Sequence, residues 1–342
     1  MVDDAGALHV GPNSAGAVPG PVCYDNGGTA ATLTDANATL GYLSQDRLPS
    51  GLRLDAAKAR SAISAQIAAP LGLSSEEAAY GAFLVGCASI ARAVRAVTIE
   101  RGRDPRDFTL IAFGGNGPLF AAEMARTLAI GAVLVPPAPG VFSAVGLLEA
   151  DLDHHLVRTL NATLAELTDD AVDSAFEALG DEARGLMREV ASPLIERAVD
   201  AKYAGQSFEL TIPLPGPRTP VAAIADIFAR EHERTYGHRA DGDPVQIVNL
   251  RIVARLPRDS FPSALRGESS LRDPFGGSKR DAYFGEHYGI LATPVLDRFD
   301  LARAEARHGP MLIDEYDATT LVPPGCSAQL DDFDNIVIRI EA

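Results

Sequence analysis

The residues best suited to hold a ligand form one short run. After the apolar stretch Phe108 to Phe113 the chain reads Gly114-Gly115-Asn116-Gly117-Pro118, and a helical apolar pattern follows to Leu128. Glycines lack a Cβ and let backbone come against a ligand, while N–H groups at the start of a following helix favour polar or anionic groups. Such a turn serves phosphate or nucleotide binding. Spelling alone does not decide it. No Lys-Ser or Lys-Thr pair of a P-loop follows, and Phe120 stands where a dinucleotide G-x-G-x-x-G carries its third glycine. An ordinary tight strand-to-helix turn is the competing interpretation.

The other clusters are weaker. Asp151, Asp153, His154 and His155 could ligate a metal, but neighbouring residues on a strand point different ways and no distant ligand pair matches them, so they read as a solvated charge run. His232-Glu233 falls short of a zincin motif because position 236 is Tyr236, with His238 two residues on. Gly205-Gln206-Ser207-Phe208-Glu209 breaks the G-x-S-x-G nucleophile elbow at its last position. Asp331-Asp332 reads as exposed charge. No catalytic residue and no metal ligand is assigned.

The elements that would position the glycine turn are legible around it. Phe108 to Phe113 is expected as a strand, Pro118 opens a helix stopped by Gly131, and Val133-Leu134-Val135 makes a second strand; together they form a βαβ unit. Upstream, residues 8–53 are dense in Gly and Pro and read as a structured loop region. An acid-capped helix starts at Asp55 and closes at Pro70 and Gly72. A longer one follows the Ser74/Glu77 capping box, with Phe83, Cys87, Ile90, Val94 and Val97 on its buried face. Downstream, Leu160 to Arg188 is expected as helix, Ala198 to Leu214 as a hairpin through Gly205, Val221 to Thr235 as helix and Val245 to Leu256 as strand. Pro257 to Lys279 reads as a linker, and Tyr283 to Ile340 as short strands.

Composition bounds the function. The 342 residues allow two or three domains at roughly 100–200 residues each, and 46% hydrophobic with 22% charged residues fits a folded globular chain. A formal charge of −16 argues against nucleic acid or an anionic membrane as the main partner. Cys23, Cys87 and Cys326 are too few and too scattered for a disulfide framework and read as buried thiols of a reducing compartment. The acidic start Met1-Val2-Asp3-Asp4 is unlike a secretory signal, and prolines interrupt the charge-free stretch Thr127 to Leu148. The expected location is the cytoplasm, away from membranes.

Several blocks carry a family resemblance. Val10-Gly11-Pro12-Asn13-Ser14-Ala15-Gly16-Ala17, Pro19-Gly20-Pro21-Val22-Cys23-Tyr24 and Thr34-Asp35-Ala36-Asn37 resemble the hydantoinase A/5-oxoprolinase family. So do Ala112-Phe113-Gly114-Gly115-Asn116-Gly117-Pro118-Leu119, Pro136-Pro137-Ala138-Pro139-Gly140, Tyr203-Ala204-Gly205-Gln206-Ser207-Phe208-Glu209-Leu210 and Glu315-Tyr316-Asp317-Ala318-Thr319-Thr320 with Pro323-Pro324-Gly325. The blocks run in family order along nearly the whole chain.

The resemblance implies an α/β fold of the actin/sugar-kinase/Hsp70 kind. A partial ribonuclease-H-like lobe (residues 1–159) would be followed by an α+β module (160–257), a linker (258–280) and a small all-β module (281–342). It implies that Gly114, Gly115, Asn116, Gly117 and Pro118 form an adenosine-binding turn for ATP. It also implies that Mg²⁺ and the phosphates are held by Asp-x-Gly-Gly-Thr hairpins from an N-terminal-half A-type polypeptide. Asp25-Asn26-Gly27-Gly28-Thr29 spells that hairpin motif but aligns with a different block. The expected role is therefore a partial or split A-type component of an ATP-dependent cyclic-amide hydrolase, partnered by that half and by a B-type subunit and inactive alone. A split subunit of an ATP-dependent ketone carboxylase and a non-catalytic scaffold are the alternatives. Phe120 departs from the family, whose members commonly carry His there. Asn116 sits where a small residue is usual, and would either crowd a ligand or bond to it.

Overall fold

The computed structural model describes residues 1–45, 52–187, 193–240, 242–257 and 277–341. In chain order the helices are α1 (Leu33–Thr39), α2 (Ala56–Ile63), α3 (Ala69–Leu71), α4 (Ser75–Val97), α5 (Gly117–Leu128), α6 (Phe142–Glu149), α7 (Asp169–Leu186) and α8 (Val221–Tyr236). The strands are β1 (Leu110–Ile111), β2 (Ala132–Val135), β3 (Leu152–Thr163), β4 (Leu194–Tyr203), β5 (Leu210–Leu214), β6 (Val245–Leu256), β7 (Ser278–Tyr283), β8 (Ile290–Leu296), β9 (Arg307–His308), β10 (Met311–Asp314), β11 (Thr319–Val322), β12 (Cys326–Leu330) and β13 (Ile336–Ile340). Contacts divide this mixed α/β chain into two units: Met1–Val97 with Asp104–Gly146 and Arg266–Ala342, and Thr98–Arg103 with Leu147–Leu265.

In the first unit, capping chemistry sets the helices. Asp55 accepts from the Lys58 N–H to start α2, a π-helical stretch over Ser64–Ala68 carries it into α3, and Gly72 ends it at φ +68°. The Ser74/Glu77 capping box starts α4 with reciprocal bonds of 3.2 and 2.8 Å. Phe83 and Cys87 of α4 are buried as their spacing predicts, and Ala91 is buried with them, yet Ile90 and Val97 are 39% and 54% exposed. The span Ser75–Arg101 is long and apolar enough to cross a membrane, with a mean hydropathy of 1.6 in an 18-residue window, but α1 and α5 pack on α4. The turn-rich region also contains α1, missed in the sequence, which opens on a Thr32/Asp35 capping box. Asp25 to Thr29 lies between helical turns, and among the described residues no strand pairs with it.

The βαβ unit forms with parallel pairing of Leu110 to Val133 and Ile111 to Leu134. Its first strand is only two residues long. Its helix runs to Leu128 as expected, but the left-handed cap is Ala129, at φ +55°, rather than Gly131, and the Ile130 N–H bonds back to the Ala125 carbonyl at 2.8 Å. All strands after residue 276 belong to this unit. Residues 277–341 are strand and turn as expected, but they complete the lobe rather than stand apart. β13 pairs antiparallel with β2, giving the order β1-β2-β13-β12-β9, while β11-β10-β8-β7 form a second sheet. The linker expected at 258–280 lies mostly outside the described residues, and Ser278–Lys279 already belong to β7. All three cysteines are buried and free.

The second unit is the expected α+β module, an antiparallel sheet of order β3-β6-β4-β5. Phe176 of α7 and Phe228 of α8 are packed with Ile212, Ile247 and Leu250 of the strands. The expected helix from Leu160 starts late, because β3 occupies Leu152–Thr163 and runs across the boundary drawn at 159. An outer strand with little of its surface buried shows no apolar alternation, so its period was invisible.

Candidate functional site

All five residues of the glycine turn come together at one end of the first unit's sheet. Gly114 adopts φ +83°, where a side chain would be strained, and its N–H donates to the Pro139 carbonyl at 2.7 Å. Gly117 opens α5 and Pro118, buried, follows it. Asn116 caps the helix by position only, since its side chain makes no capping bond. Gly115 and Asn116 are exposed and face a concavity of about 190 Å³, across from Tyr24, Thr34, Tyr316 and Asp317.

Three loops and one N-terminal block build this concavity. Asp35, fully buried, accepts from the Val22, Cys23 and Thr32 N–H groups at 3.2, 2.7 and 2.9 Å, which folds the Pro19-to-Tyr24 block onto α1. That brings Tyr24 and Thr34 to the rim. Gly140 lies so close to Asp317 that an added Cβ would meet its carbonyl oxygen at 2.5 Å. The 136–140 loop is thereby held between the glycine turn and the 314–319 segment.

The 314–319 segment is the part of the site that the residue patterns missed. Its acids have different employment. Asp314 takes Arg280 at 2.5 Å and Thr319 at 3.0 Å, and Glu315 takes Arg298 at 2.7 and 2.9 Å. Burial pushes the Glu315 carboxyl above the usual glutamate range against the pull of Arg298. Asp317 keeps a buried oxygen, Oδ2, with no hydrogen-bond partner. Nearly two hundred residues separate this segment from the glycine turn, and only their family blocks linked them in the sequence.

The remaining candidates do not line the concavity. Phe120 is 6% exposed and stacks on Phe83 at 5.0 Å, so the residue standing at the usual His position is core. Asp153 of the edge strand β3 and Asp151 just before it pair with Arg255 of the neighbouring β6, and His154 and His155 are neighbours on β3. His232 is 1% exposed, with Nδ1 at 3.0 Å from the His238 carbonyl and Nε2 at 3.1 Å from Gln206. Among the described residues no three His, Cys, Asp or Glu side chains converge as metal ligands, so Mg²⁺ is assigned to no residue here.

Residues 1–156 match the family described as Hydantoinase/oxoprolinase. This segment belongs to that family. The whole chain aligns with its relatives: it is 34% identical to the caprolactamase subunit alpha of Pseudomonas jessenii over 96% of this chain and 49% of that protein. It is 32% identical to the acetophenone carboxylase gamma subunit of Aromatoleum aromaticum, over 96% and 48% respectively. The crystal structure of the ATP-dependent caprolactamase from Pseudomonas jessenii superposes with a TM-score of 0.84 at 30% identity, covering 99% of this chain and 51% of that one. The chain spans about half the length of these relatives.

Proposed function

We propose that this chain is a hydantoinase/oxoprolinase-type A component that supplies the adenosine side of an ATP site for an enzyme acting on cyclic amides. The observation that carries the reading is the concavity beside Gly115 and Asn116, at the start of α5. Bare backbone can approach a nucleoside there, and the α5 N-terminus adds a favourable field for an anion. The 30% identity and 0.84 TM-score to an ATP-dependent caprolactamase support a lactam-like substrate over a ketone.

ATP, when bound, would supply a phosphoryl group that, placed on the amide oxygen, makes the otherwise unreactive amide carbon electrophilic enough for water to add and the ring nitrogen to leave. The residues of this chain do positional work. Gly114 and Gly117 shape the turn, Gly115 leaves room, and the Asn116 amide and Asp317 carboxylate offer polar contacts to the nucleoside. Phosphate and Mg²⁺ contacts come from the half of an A-type subunit that this chain does not match, and a B-type subunit completes hydrolysis. The net charge of −16 and three free thiols support a cytoplasmic setting.

The test is ATP hydrolysis with and without lactams, measured on the chain alone and on the chain assembled with its complementary half and B-type subunit. Turnover is expected only in the assembly. Robust lactam-dependent turnover by the chain alone overturns the reading, and dependence on bicarbonate and a ketone identifies a carboxylase instead.

A further inference from the structure

The wall of the concavity across from the glycine turn holds a carboxylate that the protein leaves unanswered. Asp314 and Glu315 each carry an arginine, Arg280 and Arg298. Among the described residues no hydrogen bond or ion pair reaches the Asp317 carboxylate, and its Oδ2 is buried. Buried acceptors in folded proteins are nearly all hydrogen-bonded, so this exception calls for a donor from outside the chain. The carboxyl is also held in place. Gly140 lies against it, where an added Cβ would come within 2.7 and 2.9 Å of the Asp317 Cβ and Cγ. Asp317 lines the concavity with Asn116, Tyr24 and Tyr316, the last of them 67% exposed. The space of about 190 Å³ is smaller than the roughly 300–1,000 Å³ that encloses a whole drug-sized ligand, so it takes part of a nucleotide.

The free charge selects that part. A carboxylate without a cation repels phosphates, and its two oxygens ask for two donors. Adenine does not supply them, because its N6 amine has a ring-nitrogen acceptor beside it. The ribose does, through two neighbouring hydroxyls, and dinucleotide-binding folds set an acidic side chain on a ribose hydroxyl for the same reason. The Asn116 side chain, which makes no capping bond, carries the donor and acceptor that match the N6 and N7 edge of adenine. Tyr316 offers a flat ring for a base to stack on. We propose that Asp317 is the ribose-reading residue of the nucleotide site, accepting from the 2′- and 3′-hydroxyls and so selecting ribonucleosides over their deoxy forms. This deepens the nucleotide reading above and rests on it.

The test titrates the full chain with nucleosides, which need no phosphate contacts, and follows binding by NMR. Adenosine is expected to bind at least about tenfold more tightly than 2′,3′-dideoxyadenosine, as bonds to a charged acceptor imply. Asp317→Asn matches the side chain in size and removes its charge. It should lose most of that preference while binding dideoxyadenosine as the parent does. Its thermal midpoint should not fall, because the native carboxylate has no partner to lose. Purine riboside, which lacks the N6 amine, should be weaker than adenosine by the same factor in both proteins. Adenosine binding with no preference for the hydroxyls, a preference unchanged in Asp317→Asn, or an Asp317→Asn effect confined to the amine each overturns the proposal and leaves the nucleotide reading standing. No adenosine binding at millimolar nucleoside overturns both.

Discussion

Arg298 and Glu315 form a buried bidentate ion pair, at 2.7 and 2.9 Å, that ties the wall of the concavity to the sheet behind it. The same guanidinium, 2% exposed, donates to the carbonyls of Val135, Pro136 and Asp334 at 3.1, 2.9 and 2.8 Å. One side chain therefore fixes the end of β2, the start of the 136–140 loop and the 314–319 segment together. Arginine suits this post because its planar fork can serve a carboxylate and several carbonyls at once.

Removing that arginine is expected to be costly. Arg298→Ala leaves a buried carboxylate and several carbonyls without partners, and should cost about 3–5 kcal/mol. The paired change Arg298→Met with Glu315→Leu removes both charges and should lose less than the single change. Denaturant unfolding of the three proteins checks this, and an Arg298→Ala midpoint equal to the parent's would contradict it.

Gly115 separates binding from folding. Its φ lies outside the left-handed region, and an added Cβ meets only the Asp317 carbonyl oxygen at an ordinary 3.6 Å. Gly115→Val is therefore expected to change stability by no more than about 0.5 kcal/mol. Calorimetry of the assembled complex should show at least a tenfold loss of ATP affinity. Gly140→Ala, whose Cβ collides with Asp317 backbone, should damage both.

Phe120 gives the opposite pattern. It stacks on Phe83 inside the core at an interplanar angle of 17°. Phe120→Ala should cost about 3–5 kcal/mol of stability. ATP affinity of the folded fraction should stay at the parent value, and a large affinity loss at unchanged stability would place this ring in the site after all.

The second unit should be acid-labile through Asp200. Burial of this carboxylate, 0% exposed, favours its protonated form, but hydrogen bonds from Arg251, Thr211 and Asn249 outweigh that and hold it below the ordinary 3.8. A folded-state value below the unfolded one means the stabilisation is present above pH 3.8 and lost as pH falls through the depressed value. Asp200→Asn should be less stable at neutral pH and show a flatter loss between about pH 5 and pH 2. Chemical denaturation across that range reads both.

Local chemistry was legible from the residues. The capping box at Ser74, the stop at Gly72, the βαβ unit around Gly114 to Pro118 and the hairpin through Gly205 all depend on neighbours within a few positions, where spacing carries the information. The strand β3 was not legible, because little of it is buried and no apolar rhythm marks it. Nor was the left-handed cap at Ala129 just after the expected end at Leu128, where a backbone closure outweighed the preference for glycine.

The sequence by itself determined the family blocks, the glycine turn and the kind of ligand such a turn admits. Tertiary structure decided what faces that turn. Asp35 folds an N-terminal block to the rim, Arg298 holds Glu315 and the 136–140 loop in place, and β13 returns from the far end of the chain to pair with β2. These contacts join residues far apart in the chain, and no local period records them. Their energy comes from burial and from hydrogen bonds whose partners meet only when the whole unit has folded.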